Sequence, residues 1–435
     1  MSLFGALNIG VAGLDANSAA MSVTSANIAN VNTVGYKTSD ASFSTLLASA
    51  MTGGDNEASV SESSAQNVSA QGTINSAASA TDLAISGNGF FVVSNTPTSG
   101  TTTGALYTRT GDFTPDANGY LVNSAGNYLM GWPLSSTGSL PTDLNTLEPI
   151  NTSNLSGKAQ ATTTMTVQAN LQSSAAVDST YTAGDMSKGT VTPDLERTVD
   201  VYDSQGGSQP LDVSYVKTGA NTWAYEVSYA GNASNITGTN PIATGTMSFN
   251  SDGTLATADT SSATPTGSVN ITIPWSTTSG LASQSVSINM GTVGSSNGVT
   301  QFDSSSSMAT TVDGNLFGSF SGVSIGTDGT VTANYSNGLT QKVFQVPVAT
   351  FANPDGLTAE SGNAYSASQA SGTASINAAG AGGSGSIDSN SLEASTVDLA
   401  TEFTNLITTQ RAYEASSKIV TTAAQMLDQL MQMQS

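Results

Sequence analysis

The residue types that most often do chemistry are missing from this chain. Among its 435 residues there is no His and no Cys. That removes the usual general base, the usual metal ligand and all thiol or disulfide chemistry. Ser and Thr are abundant, but without His no Ser-His-Asp arrangement forms. Lysines leave a Ser-Lys pair formally open, yet none lies in a recognisable motif. The 31 Asp and Glu residues could supply a carboxylate pair for glycoside hydrolysis. Asp112, Asp116 and Asn118 could suggest a calcium loop, but their spacing fails the EF-hand pattern and a solvated turn explains them better. No catalytic residue, cofactor site or metal site is assigned.

Charge narrows the partners. Nine Lys and Arg against 31 Asp and Glu give a net charge of −22. Nucleic acid and anionic membranes need clustered positive charge, so neither is expected as a main partner. No apolar run approaches the roughly 18 residues of a membrane span. The first basic residue is Lys37, so the basic region that opens a secretory signal is absent. If the protein leaves the cell, the expectation is export by another route, without a cleaved signal peptide.

The elements that would have to position any chemistry are two helices framing a β-rich middle. Residues 386–435 contain no Gly and no Pro, and within them Leu399, Leu406, Tyr413, Val420 and Leu427 fall seven apart. Leu7, Leu14, Met21 and Ile28 show the same spacing at the other end. Two such seams predict helices over about 3–30 and 397–431 whose termini meet. The second columns are weak: Phe403, Gln410, Ser417, Ala424 and Met431 at one end, Val11, Ser18 and Ser25 at the other. Such helices bury too little surface to order alone, so several neighbours are expected around each. Gly5, Gly10 and Gly13 should weaken the first helix. Asn27, Asn30, Asn32, Thr33, Gly35 and Tyr36 then cluster as a turn, with Gly35 supplying a positive φ.

Residues 38–80 show little periodicity and read as a linker or irregular arm. From Asp82, Leu83 and Ile85 alternate, and residues 90–93 (Phe-Phe-Val-Val) read as a buried strand. Asn118-Gly119 and Ala125-Gly126-Asn127 mark turns of a meander. Strand patterns continue through residues 197–202, 211–215 and the Trp223 segment, then return after 317 in the first style. Val343 to Phe351 reads as a strand, placed at an edge by Pro347. Ser395 with Asp398, or Asn390 with Glu393, has capping spacing for the last helix. Glu414 and Lys418 can pair at i, i+4. The expected fold is α+β, predominantly β, with discontinuous nested domains. Residues 1–30 and 392–435 form a helical, coiled-coil-like domain, 31–71 an arm, 72–147 with 317–391 one antiparallel β domain, and 148–316 an inserted second one.

Three segments carry a resemblance. Residues 25–37 (Ser-Ala-Asn-Ile-Ala-Asn-Val-Asn-Thr-Val-Gly-Tyr-Lys) are similar to the N-terminal signature of the bacterial flagellar axial proteins, the rod and hook families. Residues 81–93 resemble their shared core strand, and residues 392–415 their C-terminal motif, with Thr396 where Asn is common. The 198–207 and Trp223 stretches, with 335–338 and 351–357, are similar to the hook side of that group. The resemblance implies a self-assembling helical tube outside the cell, joining rod to filament and passing torque round a bend. The helices would line its channel, the inner β domain its wall, and 148–316 its outside. Leu7, Leu14, Met21, Ile28, Leu399, Phe403, Leu406, Tyr413, Val420 and Leu427 would then form the polymerisation interface. The implied partners are other copies of the chain, the distal rod, the hook cap, the hook–filament junction proteins and the flagellar export apparatus. Two rivals remain at this point. A distal rod protein would not need so large an insert. A secreted β-rich adhesin or polysaccharide-active enzyme would need a signal and a repeat, and neither is evident.

Overall fold

The computed structural model describes residues 3–47, 58–98, 104–135, 137–143 and 146–434. The chain divides into two compact units. The first comprises Met1–Leu155, Gly322–Asn334 and Thr340–Ser435, and the second Ser156–Ser321 and Tyr335–Leu339. The second is therefore nested in the first.

The first unit holds both long helices, α1 (Leu3–Ala29) and α2 (Leu399–Gln434). Asp398 caps α2: its Oδ1 accepts from the backbone N–H of Ala400 at 2.8 Å and of Thr401 at 3.2 Å. This satisfies two of the donors that a helix start leaves unpaired. Glu393, the alternative capping partner, lies elsewhere. Residues 38–47 and 58–80 are more regular than their composition predicts; 48–57 lie outside the described residues. β1 (Ser39–Leu47) and β2 (Ala58–Gln66) pair antiparallel along their whole length, and both pack on α1.

The β body of this unit is a large sheet. Thr340–Gln345, Tyr128–Pro133, Phe90–Ser94, Leu106–Thr108 and Ala364–Ser366 lie side by side, each antiparallel to the next. Phe90–Ser94 is buried on both faces, which is why it reads as a continuous apolar run. Phe91 and Val93 enter one core with Leu83, Leu121 and Leu129; Phe90 and Val92 enter another with Tyr107 and Trp132. Pro347 does not mark an edge. It opens a second strand, Pro347–Thr350, which pairs with Ser375–Ala378 on one side and Phe90 and Phe91 on the other. The first residue of a strand is a position where a missing N–H is tolerated.

The second unit has one large core, with a small second cluster of Met186, Val216 and Ala224. An antiparallel meander runs Leu195–Tyr202, Ser208–Gly219, Thr222–Tyr229, Ala243–Phe249 and Leu255–Thr257. A second five-stranded sheet is built around Thr164–Asn170, which pairs antiparallel with Ser307–Val312. The same strand runs parallel to Gln284–Asn289 and Val299–Thr300, so the expected all-antiparallel pairing fails here. Side chains of both sheets, including Val167, Ile288, Val213 and Trp223, share a single cluster, as in a sandwich.

Candidate functional site: the paired termini and their anchor

α1 and α2 run antiparallel at close range. A Cβ on Gly10 would stand 2.8 Å from Val420 Cγ2, and one on Gly13 would stand 3.0 Å from Ser416 Oγ. Asn27, near the other end of α1, reaches Glu402. The residues of α1 nearest this line are small or polar: Gly10, Gly13, Ala16, Ala20, Thr24 and Asn27 are all buried. They recur at spacings of three and four, a helical face without bulk. The glycines that lower helix propensity thus allow the close approach.

The large apolar column lies one residue aside. Leu7, Leu14, Met21 and Ile28 are half-buried, as are Leu406, Val420 and Leu427, whereas Leu399, Phe403 and Tyr413 are exposed. Among the described residues of α2 the deeply buried positions are Glu402 and Ala423. Leucine spacing located the right helices and missed the small-residue face that joins them.

The signature turn anchors this pair to the β body through two buried polar clusters. In the first, the Asn27 side chain makes four hydrogen bonds. Its Nδ2 donates to Glu402 Oε1 at 3.0 Å and to the Ser39 carbonyl at 2.8 Å. Its Oδ1 accepts from the Tyr36 hydroxyl at 3.1 Å and the Ser39 N–H at 3.0 Å. One amide with its full capacity used joins α1, the turn, β1 and α2. Asn30 and Thr33 close the turn, with the Thr33 hydroxyl donating to Asn30 Oδ1 at 3.1 Å. Asn32 is exposed. Gly35 has φ +67°, as the sequence predicts, and its N–H donates to the Glu393 carbonyl at 2.8 Å. The unusual Thr396 is used: its Oγ1 accepts from the Thr38 N–H at 2.9 Å.

The second cluster was not legible as a site. Glu393, Lys37 and Arg109 are all buried. Lys37 Nζ donates to Glu393 Oε1 and to the Ala70 carbonyl. Gly72 N–H donates to the same carboxylate oxygen at 2.7 Å, and Arg109 Nη1 to the other at 3.1 Å. The Arg109 guanidinium also donates to the carbonyls of Ile85 and Gly87, and lies 5.3 Å from the Phe90 ring centre. Burial holds the Lys37 ammonium below its usual pKa, against the pull of Glu393. The available signal was scarcity: in a chain with 9% charged residues, Lys37 closes one resembling segment and Glu393 lies in another, while Arg109 lies in none.

These clusters bind the protein to itself and offer no catalytic geometry. Asp116 Oδ1 accepts from the N–H groups of Asn118 and Tyr120, both at 2.9 Å, and so serves a turn. Among the described residues no group of three acidic side chains is placed to hold a metal.

Four family models match along the chain in order: flagella basal body rod protein over residues 7–37, flagellar hook protein FlgE/F/G D1 domain over 84–175, flagellar basal body protein FlaE D2 domain over 170–315, and flagellar basal body rod FlgEFG protein C-terminal over 388–433. The end motifs are shared between rod and hook proteins, so full-length similarity decides. Flagellar hook protein FlgE of Caulobacter vibrioides is 32% identical, with 99% of each chain covered. The protein of that name from Rhizobium meliloti is 34% identical with the same coverage, and that of Escherichia coli is 34% identical over 97% of this chain and 98% of its own. The chain belongs to the flagellar hook protein family. Its fold agrees: the crystal structure of Helicobacter pylori flagellar hook protein FlgE2 aligns over 73% of this chain and 100% of its own, with a TM-score of 0.50 at 16% identity. As a hook subunit the chain is a structural protein of the flagellum, and the paired termini are its candidate assembly site.

Acidity acts in opposite senses on different carboxylates of this hook subunit. Burial raises the Glu402 pKa above its ordinary 4.5, opposed by the Asn27 hydrogen bond and reinforced by Asp40 and Asp398. A group with a raised folded pKa contributes stability fully below its unfolded pKa and loses it as pH rises through the folded value. In the second unit, partial burial disfavours the Asp313 carboxylate, but hydrogen bonds from Thr163 and Thr164 outweigh it. Its pKa falls below the ordinary 3.8. Asp252 is lowered likewise by Thr254. Their contribution is present above 3.8 and lost as pH falls through the depressed values. Hydrogen exchange, corrected for intrinsic rates, should therefore show α1 and the start of α2 gaining protection from pH 7 towards 4.5. Residues 163–166 and 250–255 should lose it only below about 3.8. Uniform loss across both regions above pH 4.5 would exclude this assignment.

Proposed function

We propose that this hook subunit polymerises through its paired termini into a flexible helical tube outside the cell, joining rod to filament and transmitting torque as a universal joint. The observation that carries this reading is the two-faced character of α2. One face packs on the small residues of α1. Its flanks leave Phe403 and Ile407 on one side, and Ile419 and Met426 at the edge of the α1 contact on the other, each about half exposed, at 51%, 50%, 49% and 49%. Apolar side chains on several sides of one long helix suit a helix surrounded by neighbours. The half-buried Leu7, Leu14, Met21, Ile28, Leu406, Val420 and Leu427 would complete their burial against other copies, together with Leu399 and Tyr413.

Other partners follow from this reading. The ends of the tube would meet the distal rod, the hook cap and the hook–filament junction proteins. The chain would reach them through the flagellar export apparatus, unfolded and without a cleaved signal peptide. No chemistry is assigned to it, and no cofactor.

The test uses the full chain with Phe403, Ile407, Ile419 and Met426 all changed to Ser. Negative-stain images of the concentrated native protein should show short curved tubes. The variant should show none while its β units melt as in the native protein. Straight tubes from the native chain would favour a rod function, and tubes from the variant would remove α2 from the interface.

A further inference from the structure

The buried charge cluster has an order built into it. Two cations, Lys37 and Arg109, share one carboxylate, Glu393, which lies 356 and 284 residues later in the chain. Without Glu393, closing the first unit would bury both cations against carbonyl oxygens alone, those of Ala70, Ile85 and Gly87. Burying a cation without its counter-charge is among the most unfavourable steps in folding. The backbone repeats the dependence. Gly35 N–H donates to the Glu393 carbonyl, Ala394 N–H to Thr73 and Thr396 N–H to Tyr36. Gly72 fits against Ala394 so closely that a Cβ there would stand 2.1 Å from its carbonyl oxygen. The signature turn and the end of the arm therefore receive a share of their partners, charged and neutral, from residues 393–396.

The meander of the second unit meets its buried charges nearer by. Asp203 accepts from Gln205, Gly207 and Gln209, and Glu226 from the Tyr181 hydroxyl and the N–H groups of Gly184, Met186 and Ser187, 39 to 45 residues away. Its buried Lys217 donates to the Ser173 and Ala175 carbonyls, 44 and 42 residues away; that is one cation alone, whereas Lys37 and Arg109 share one carboxylate.

We propose that Glu393 is the key of a folding gate. The N-terminal segments of the first unit close only after the C-terminal segment has arrived, and an incomplete chain stays open there. This deepens the proposed function, since a subunit exported unfolded must not close before its last residues are delivered. Its test, however, needs no polymer.

The test is pulse-labelled hydrogen exchange, read by mass spectrometry, during refolding of the full chain. In the native protein, residues 83–94 should gain protection together with 391–397 and after 199–229. In Glu393→Gln, which keeps the shape and removes the charge, protection of 83–94 should come at least about tenfold later, with 199–229 unchanged. The apolar variant Lys37→Met/Arg109→Met/Glu393→Leu should restore it, with 83–94 no longer waiting for 391–397. Native timing at 83–94 in Glu393→Gln overturns the gate. So does a triple variant no faster than Glu393→Gln, because the loss would then come from packing and not from orphaned charge. Correct timing without tubes would overturn the proposed function and leave the gate standing.

Discussion

Gly35→Ala is expected to destabilise the first unit by about 3 kcal/mol or more and to leave the second unit unchanged. Two effects add. Gly35 sits at φ +67°, a left-handed conformation that costs a residue with a Cβ about 1–2 kcal/mol. The new Cβ would also stand 2.8 Å from the carbonyl carbon of Arg109 and 2.8 Å from the Thr110 nitrogen. Both are backbone atoms, so no side-chain rotation relieves the overlap, and relief requires the turn to move off the β body. That movement would lengthen the Gly35-to-Glu393 hydrogen bond and disturb the buried charges beside it. Calorimetry should show the first unit's transition shifted down and the second unit's in place. Gly35→Asn separates the causes. Asn tolerates the left-handed region but carries the same Cβ, so a variant as unstable as Ala assigns the loss to the contact, and recovery assigns it to φ. An unshifted transition in Gly35→Ala would remove the turn as an anchor.

Much of this architecture was legible because local pattern and tertiary role coincided. The strand at Phe90–Ser94 is apolar throughout because both its faces are covered. Gly35 is glycine because the turn needs its φ. The helices declared themselves through Leu7, Leu14, Leu399 and Leu406, and the strands of the β body through their turn residues. The failures have a common cause in long-range partnership. β1 and β2 are stabilised by each other and by α1, so a Ser- and Ala-rich sequence without alternation still forms a regular hairpin. The parallel pairing of Thr164–Asn170 depends on strands more than a hundred residues later. Glu393 looked like a capping residue because its spacing suits one, whereas its partners lie hundreds of residues away. Gly10 and Gly13 looked like defects because propensity is local and close approach is not.

That last conflict makes the sharpest test of the assembly site. Gly10→Leu should raise the intrinsic helix preference of α1, by about 0.8–1 kcal/mol. It should nevertheless abolish tube formation. A Cβ at Gly10 already meets Val420 Cγ2 at 2.8 Å, Ile419 Cγ2 at 3.4 Å and the Val420 nitrogen at 3.6 Å. The remaining atoms of a Leu side chain would have to occupy the space of α2 itself. Overpacking of this kind costs typically about 1–3 kcal/mol, and here its relief separates the two helices. In a monomer the separation is local, and circular dichroism should show helix content unchanged or higher. In a polymer each displaced pair disturbs its neighbours, and a net loss of about 2 kcal/mol per contact raises the concentration needed for assembly by more than tenfold. Gly10→Ala should fall between, since Val420 Cγ2 is a methyl group able to give way. If the Leu variant assembles at the native concentration, the close antiparallel pair is a feature of the isolated subunit only, and the assembled tube must hold α1 and α2 further apart.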